Sequence, residues 1–136
     1  LHDWDPGEEI QIDKALPDVS DGDYDLLLIP GGTLNADKLR LDPDATGIVR
    51  SFAQSGRPIA AICHGPWVLI EAEHVRDKTM TSYVSVKTDA MNAGANWTDE
   101  AVVRGTEHGW TLITSRNPRD LDPFCAAIEE ELAAMA

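Results

Sequence analysis

The sequence contains few cysteines and few basic residues, and each shortage argues against a class of protein. Two cysteines, Cys63 and Cys125, are too few for the disulfide framework of a small secreted domain, which favours a reducing, cytoplasmic setting. The chain carries 11 Lys and Arg residues against 24 Asp and Glu residues, a formal net charge of -13. Such a surface repels phosphate groups and anionic lipid, which argues against nucleic acid and membrane partners.

Long apolar runs and metal-type histidine spacing are also missing. No stretch approaches the roughly 18 to 20 apolar residues of a membrane span. No two of the 4 histidines have the spacing of a metal site, so we expect neither a metal nor another cofactor. With 136 residues, 43% of them hydrophobic, the chain is predicted to form a single domain, residues 1–136, around one core.

Short apolar runs alternate with helical patterns in the first half of the chain. Residues 26–29 and 58–62 are unbroken apolar runs bounded by turn residues, which is typical of strands buried on both faces. Between them, Asp42 as N-cap predicts a helix that ends at Gly56. A second helix is predicted over residues 66–73. Strand, helix, strand, helix indicates a parallel sheet with right-handed crossovers.

The second half of the chain is predicted to contain shorter elements. The pattern indicates a strand over residues 78–83 and a helix over 84–92. Residues 101–104 and 110–115 are expected to pair as a hairpin. A C-terminal helix is predicted to begin with Asp122 as its N-cap.

The segment with the clearest chemistry is residues 61–66, Ala-Ile-Cys-His-Gly-Pro. It places Cys63 at the turn between a buried strand and a helix, where α/β-hydrolase-like enzymes carry their nucleophile. A thiol there faces the N–H groups of the helix N-terminus, which favours the attacking thiolate. His64 is either a base or ion-pair partner for Cys63 or a histidine that only bonds backbone groups at the turn. The alternative for a cysteine is a buried small hydrophobe, which is the interpretation that we prefer for Cys125.

Glycines after the first strand are candidates for an oxyanion hole. Gly31 and Gly32 follow residues 26–29, and ligands of parallel sheets bind beyond the carboxyl ends of the strands. Their N–H groups, together with one from Gly65, are predicted to face a substrate oxygen, and the alternative is a plain tight turn. Asp37 lies a few residues further on, either to orient a histidine or as a solvated carboxylate.

A series of ordered motifs resembles the PfpI-type intracellular protease family. This family belongs to the class I glutamine-amidotransferase-like superfamily, in which the parkinsonism-associated deglycase is a relative. The motifs are Tyr24-Asp25 through Ile29-Pro30-Gly31-Gly32, Asp37-Lys38-Leu39-Arg40, Ala60 through Pro66, Thr81-Ser82-Tyr83, Lys87-Thr88-Asp89, Asn92 through Trp97, and Thr114-Ser115-Arg116.

The resemblance implies a fold, an assembly and a site. The fold would be a flavodoxin-like three-layer α/β sandwich with a mostly parallel sheet, assembled into homodimers or hexamers of dimers. Cys63 would be the nucleophile and His64 its partner, and Asp37 would reach in from a neighbouring subunit to complete a triad. The implied substrates are peptides or small reactive carbonyls, in peptidase or glyoxalase/deglycase chemistry.

The chain departs from the family pattern at its start. The family begins with a strand, a helix and a second strand before the segment that matches Leu1. The resemblance therefore predicts that the chain lacks this unit and that residues before Leu1 belong to the folded molecule. The missing unit also carries a glutamate that bonds the elbow cysteine, a role to which no residue of 1–136 can be assigned. Residues 1–23 are expected to be irregular, with a short edge strand at Ile10–Ile12.

The sequence as a whole predicts a cysteine-dependent stress or detoxification enzyme, in which a thiolate attacks a carbonyl or acyl group. One alternative is a non-catalytic redox sensor or holding chaperone. The other is a truncated, inactive member of the family.

Overall fold

A mostly parallel sheet organises residues 20–135, the part of the chain that the computed structural model describes. The elements in chain order are β1 (Leu27–Ile29), α1 (Thr33–Arg40), α2 (Pro43–Gln54), β2 (Ile59–Ile62), α3 (Pro66–Glu71), β3 (Thr79–Met80), α4 (Lys87–Asn92), β4 (Asn96–Trp97), β5 (Val103–Gly105), β6 (Leu112–Ser115) and α5 (Leu121–Met135). Short 3-10 turns lie at 21–23, 84–86, 107–109 and 118–120. The expected strand at Ile10–Ile12 lies outside the described residues.

The strands of the main sheet run in the order β1-β2-β6-β5 within the described residues. The strands β1, β2 and β6 are parallel, with Leu28 opposite Ala60 and Ala60 opposite Ile113. The strand β5 pairs with β6 in antiparallel fashion, which confirms the predicted hairpin. The carboxyl ends of β1, β2 and β6 therefore meet at one edge of the sheet, where the candidate site residues lie.

Helices cover both faces of the sheet, which confirms the three-layer α/β class. On one face, Ile59 and Ala61 of β2 pack in a cluster with residues of α2 and α3, including Phe52 and Leu69. On the other face, Ala60, Ile62 and Ile113 pack against Phe124 and Ala127 of α5. Successive residues of a strand point to opposite faces, and helices cover both faces here, so every residue of β2 is buried. This burial explains its unbroken apolar sequence.

The prediction that the first strand is buried on both faces is wrong for β1. Its central residue, Leu28, is 52% exposed. Leu28 is opposite Ala60 and therefore lies on the α5 side of the sheet. The strand β1 is the outer strand of the sheet formed by the described residues, and these residues cover only about half of the Leu28 side chain.

The helix predicted between the first two strands with Asp42 as its N-cap is confirmed as α2. The Asp42 carboxylate accepts a hydrogen bond from the Asp44 N–H at 2.9 Å, and Pro43 opens α2. Gly56 follows the helix with a φ of 76°, a left-handed conformation that glycine adopts without strain.

The start and the outer surface of the C-terminal helix differ from the prediction. The helix begins at Leu121, directly after a 3-10 turn whose Arg119 N–H is capped by Asn117, so Asp122 lies inside the first turn and is not the N-cap. Cys125 is exposed, which contradicts its interpretation as a buried hydrophobe.

Candidate active site

Cys63 lies in a strained turn between β2 and α3. Its φ is 61°, a left-handed conformation that is uncommon for a residue with a side chain and that costs about 1–3 kcal/mol. Hydrogen bonds on both sides hold it there: the Cys63 N–H donates to the Ser115 carbonyl at 3.0 Å, and the Cys63 carbonyl accepts from the Tyr83 N–H at 2.9 Å. The half-buried thiol therefore occupies the predicted nucleophile elbow.

The elbow requires glycine at two of the predicted positions. A β-carbon on Gly31 would lie 2.8 Å from the Cys63 β-carbon and 3.1 Å from the Ile62 carbonyl oxygen. A β-carbon on Gly65 would lie 2.9 Å from the Ile29 carbonyl oxygen and 3.0 Å from that of Ile62. The end of β1 is thus pressed against the cysteine turn, and any side chain at either glycine would push these backbones apart.

The three predicted oxyanion donors do not behave alike. Among residues 20–135, the N–H groups of Gly31 and Gly32 donate to no other group, so both are available to a substrate oxygen. The Gly65 N–H, by contrast, donates to the Ile62 carbonyl at 2.9 Å. The prediction that Gly65 supplies a donor is therefore not supported by this geometry, because the tight turn uses its amide. Its role in the structure is steric.

His64 places a ring nitrogen beside the thiol. Its Nδ1 lies 3.2 Å from the Cys63 Sγ. The ring stacks on Tyr83, with centroids 4.7 Å apart, and meets the edge of Trp67 at 5.0 Å. His64 is only 8% exposed, and burial lowers the pKa of its imidazole below the ordinary value. The neutral form is favoured, and neutral imidazole is the form that accepts a proton from a thiol.

Two hydroxyl groups, which sequence reasoning missed, complete the surroundings of the ring. The Thr33 Oγ1, at the start of α1, lies 3.5 Å from Nδ1 of His64. The Ser85 Oγ lies 3.3 Å from Nε2 of the same ring. The only sequence signal for them is their position: Thr33 follows the glycine pair, and Ser85 lies between two motifs of the family resemblance.

The Trp67 indole packs beside the His64 ring and is held by two further contacts. Its Nε1–H donates to the Asp89 carboxylate at 3.1 Å. The Arg40 guanidinium lies 5.3 Å from the centroid of the Trp67 ring and pairs with Glu71 at 3.1 Å. The hydrogen bond to Asp89 and the cation–π contact with Arg40 hold the Trp67 indole in place.

Asp37 does not join this group within one chain. It is exposed on α1, and the structure shows no contact between its carboxylate and His64. The role that the resemblance implies for it, in the site of a neighbouring subunit, stays a prediction. Among residues 20–135, no set of three or more His, Cys, Asp or Glu side chains is arranged to hold a metal ion, and no helix is long and apolar enough to cross a membrane.

The fold and the elbow define an α/β protein with a cysteine and a histidine at the carboxyl edge of its sheet. The sequence profile of the DJ-1/PfpI family matches residues 4–131, and the chain belongs to that family.

Individual relatives agree with this assignment. The Bacillus subtilis protein named "Putative cysteine protease YraA" is 44% identical over 118 residues, which is 87% of this chain and 67% of that protein. General stress protein 18 of the same organism is 39% identical over 116 residues, 85% of this chain and 65% of that protein. Drosophila melanogaster DJ-1beta is 33% identical in sequence, and its crystal structure superposes on this chain with a TM-score of 0.81 over 91% of the chain. This chain spans 64% of that one.

Proposed function

We propose that this protein is a cysteine-dependent enzyme of the stress or detoxification type, acting on a reactive carbonyl or acyl group. The observation that carries the proposal is the contact at the elbow: the Cys63 Sγ lies 3.2 Å from a ring nitrogen of a buried His64 whose pKa is lowered. A thiol with a neutral base in reach is the arrangement from which an attacking thiolate forms. The relative named "Putative cysteine protease YraA" supports the cysteine chemistry, and the relative named "General stress protein 18" supports the assignment to the stress type.

The proposed reaction begins with a proton transfer. Nδ1 of His64 takes the proton of the Cys63 thiol, and the thiolate attacks the carbonyl carbon. As the S–C bond forms, the π electrons of the C=O bond move to its oxygen. The N–H groups of Gly31 and Gly32, which have no other acceptor among the described residues, stabilise that oxyanion.

The fate of the adduct depends on the substrate. With an aldehyde such as methylglyoxal, the oxyanion takes the proton held by His64 and a thiohemiacetal results. Transfer of the C1 hydrogen to C2 within that adduct gives a lactoyl thioester, which water hydrolyses to lactate and the free thiol. With a peptide, the C–N bond breaks, the amine leaves with the proton held by His64, and water then hydrolyses the acyl-enzyme. Both substrate classes belong to the proposal, as peptidase or glyoxalase/deglycase activity.

The proposal includes self-association and a cytoplasmic setting. The family resemblance implies a homodimer or a hexamer of dimers, and the exposed Asp37 on α1 is accessible to a second copy. A catalytic thiol must stay reduced, which a cytoplasmic location provides.

The test is turnover by matched cysteine variants. We expect Cys63→Ala and Cys63→Ser to lose at least about 100-fold in lactate formation from methylglyoxal or in peptide cleavage. Cys125→Ser, which removes an exposed thiol on α5, should leave both activities unchanged. Unchanged turnover of both substrates by Cys63→Ala would overturn the proposal. Oxidation of Cys63 to the sulfinic acid by peroxide, without turnover of either substrate by the wild type, would favour the redox sensor instead.

A further inference from the structure

We propose that Ser85 is the residue that positions His64, from within the same chain. In this proposal the Ser85 Oγ accepts a hydrogen bond from Nε2–H of His64 and thereby holds the tautomer whose Nδ1 lone pair faces the thiol of Cys63. The inference rests on the proposed function, because it assigns a tautomer to the base of that reaction.

The contacts on the two sides of the ring differ in kind. Nδ1 lies 3.2 Å from the Cys63 Sγ and 3.5 Å from the Thr33 Oγ1, both of which can donate a hydrogen. Nε2 lies 3.3 Å from the Ser85 Oγ. A neutral imidazole has one N–H and one lone pair. To accept the thiol proton, Nδ1 must carry the lone pair, so Nε2 carries the hydrogen and Ser85 receives it.

Within one copy of the chain, no carboxylate of residues 20–135 contacts Nε2 of His64. Asp37 has no contact with the ring. Asp89, on the neighbouring helix α4, accepts from Trp67 Nε1–H. Within one chain, a hydroxyl therefore contacts the ring nitrogen that a serine-histidine-aspartate site pairs with a carboxylate, and it does so without adding a negative charge. This absence of charge is consistent with a His64 pKa that burial alone lowers. An Asp37 carboxylate reaching in from a neighbouring subunit would accept from the same Nε2–H beside Ser85.

The segment that carries Ser85 is tied to the elbow. The Tyr83 N–H donates to the Cys63 carbonyl at 2.9 Å, and the Val86 N–H closes the following 3-10 turn on the Tyr83 carbonyl at 2.9 Å. Tyr83 also stacks on the His64 ring. Residues 83–86 thus fix both the plane of the imidazole, through Tyr83, and the position of the Ser85 hydroxyl at Nε2, relative to Cys63.

The bond from Nε2–H to Ser85 persists through the proton transfer. Before it, Nδ1 has a lone pair and Nε2 a hydrogen. Afterwards, the thiol proton is on Nδ1, which donates to the thiolate, while Nε2–H still donates to Ser85. Only one proton moves and neither ring nitrogen needs a new partner, so the ring does not reorient during the step.

The decisive measurement is the tautomer of His64 by NMR of protein labelled with 15N in histidine, well above the histidine pKa. The His64 resonances are assigned by their loss in His64→Gln. We expect wild type to carry the hydrogen on Nε2. Ser85→Ala should shift His64 toward a mixture of tautomers, Ser85→Thr should retain the wild-type form, and Ser51→Ala, which removes a hydroxyl from α2, should change nothing. A wild type with the hydrogen on Nδ1 overturns the proposal without any variant.

Thiol reactivity gives an independent readout. In a Cys125→Ser background, alkylation of Cys63 by iodoacetamide at neutral pH should slow about threefold to tenfold in Ser85→Ala, the loss expected for one hydrogen bond. Ser85→Thr should restore the rate. Slower alkylation with an unchanged tautomer would overturn the proposal, because Ser85 would then act only on the local structure. Neither measurement uses a substrate, so a failure of the proposed enzymatic function remains distinguishable from a failure of this inference.

Discussion

Gly31 and Cys63, which lie just beyond the ends of the neighbouring strands β1 and β2, are so close that a methyl group on Gly31 would lie 2.8 Å from the Cys63 β-carbon. This close approach places the candidate oxyanion donors beside the candidate nucleophile. It also gives the first of four predictions.

We expect Gly31→Ala to destabilise the fold by about 1–3 kcal/mol, the usual range for overpacking, and to slow alkylation of Cys63. The control is Gly47→Ala in α2, where an added β-carbon meets nothing within 4 Å. That control should stabilise the protein by about 0.5–1 kcal/mol, because alanine favours helix over glycine. Urea unfolding and iodoacetamide kinetics measure both effects. If Gly31→Ala matched Gly47→Ala, the close contact would not exist in solution.

His64 should make stability depend on acidity. Because burial lowers its folded-state pKa below the unfolded value near 6.5, the unfolded chain binds a proton that the folded chain does not in the pH range just below 6.5. The free energy of unfolding should therefore fall as the pH drops through this range, and stability should be fully present above it.

The matched variant for this effect is His64→Gln, which cannot titrate. The difference in the free energy of unfolding between wild type and His64→Gln should shrink as the pH falls from 7.5 to about 5.5, in urea titrations at each pH. A difference that stayed constant, or grew, would show that His64 is not buried as a neutral ring.

Lys78 is a buried cation held by the hairpin loop. Its ammonium donates to the carbonyl oxygens of Gly105 at 3.2 Å and Trp110 at 2.5 Å, and to that of Glu107. It also lies 4.1 Å from the centroid of the Trp110 ring. Burial lowers the pKa of Lys78 from 10.5 to about 8, and the nearby Glu107 carboxylate offsets part of that effect.

The sign of the resulting pH dependence is opposite to that of an ordinary surface lysine. Between pH 8 and 10.5 the unfolded chain holds a proton on Lys78 that the folded chain has lost, so stability from this group rises with pH. Relative to Lys78→Met, wild type should gain up to about 3 kcal/mol across that range. At pH 7, Lys78→Met should be less stable than wild type, because it leaves carbonyl groups without a donor.

Chemical denaturation of wild type and Lys78→Met at pH 7, 8.5 and 10 measures the difference in their free energy of unfolding. The contributions of titrating groups that both proteins share cancel in this difference. A gap that narrows toward alkaline pH would contradict the lowered pKa. Lys78→Gln, which retains a donor, should recover part of the stability lost in Lys78→Met at pH 7.

Asp37 provides a test of a site shared between two copies. If Asp37 acts in the neighbouring subunit, Asp37→Asn and Cys63→Ala should each reduce turnover, and mixing the two variants after subunit exchange should restore it. In a dimer, random mixing forms hybrids in half of the molecules, each with one intact site, so recovery should reach about a quarter of the wild-type activity. Turnover no greater than the mean of the separate variants would show that Asp37 belongs to its own chain or to no site.

Much of the elbow could be predicted because its determinants are adjacent in sequence. An apolar run, Cys63, Gly65 and Pro66 together specify a buried strand that turns into a helix, and the structure confirms each element. The helix α2 was equally readable from Asp42 at its start, since capping is a local interaction. By contrast, α1 was not predicted, because only Ala36 is fully buried and its apolar periodicity is weak.

The partners of His64 could not be read in the same way. Ser85 lies 21 positions away in the sequence and Thr33 lies 31 positions away. A single serine or threonine has no sequence pattern that separates it from the other hydroxyl residues of the chain. The expected acid, Asp37, is exposed and without a contact to His64 within the chain, because α1 presents Thr33 to the ring instead.

The sequence by itself determined the family, the α/β class and the position of the candidate nucleophile, because each depends on residue types in a local order. Only the tertiary structure decided which nitrogen of His64 faces the thiol, that the Gly65 amide closes the turn, and that the described residues leave the Gly31 and Gly32 amides available. These properties arise where β1, β2 and the 84–86 turn converge, and contacts between distant segments exist only after the sheet has formed.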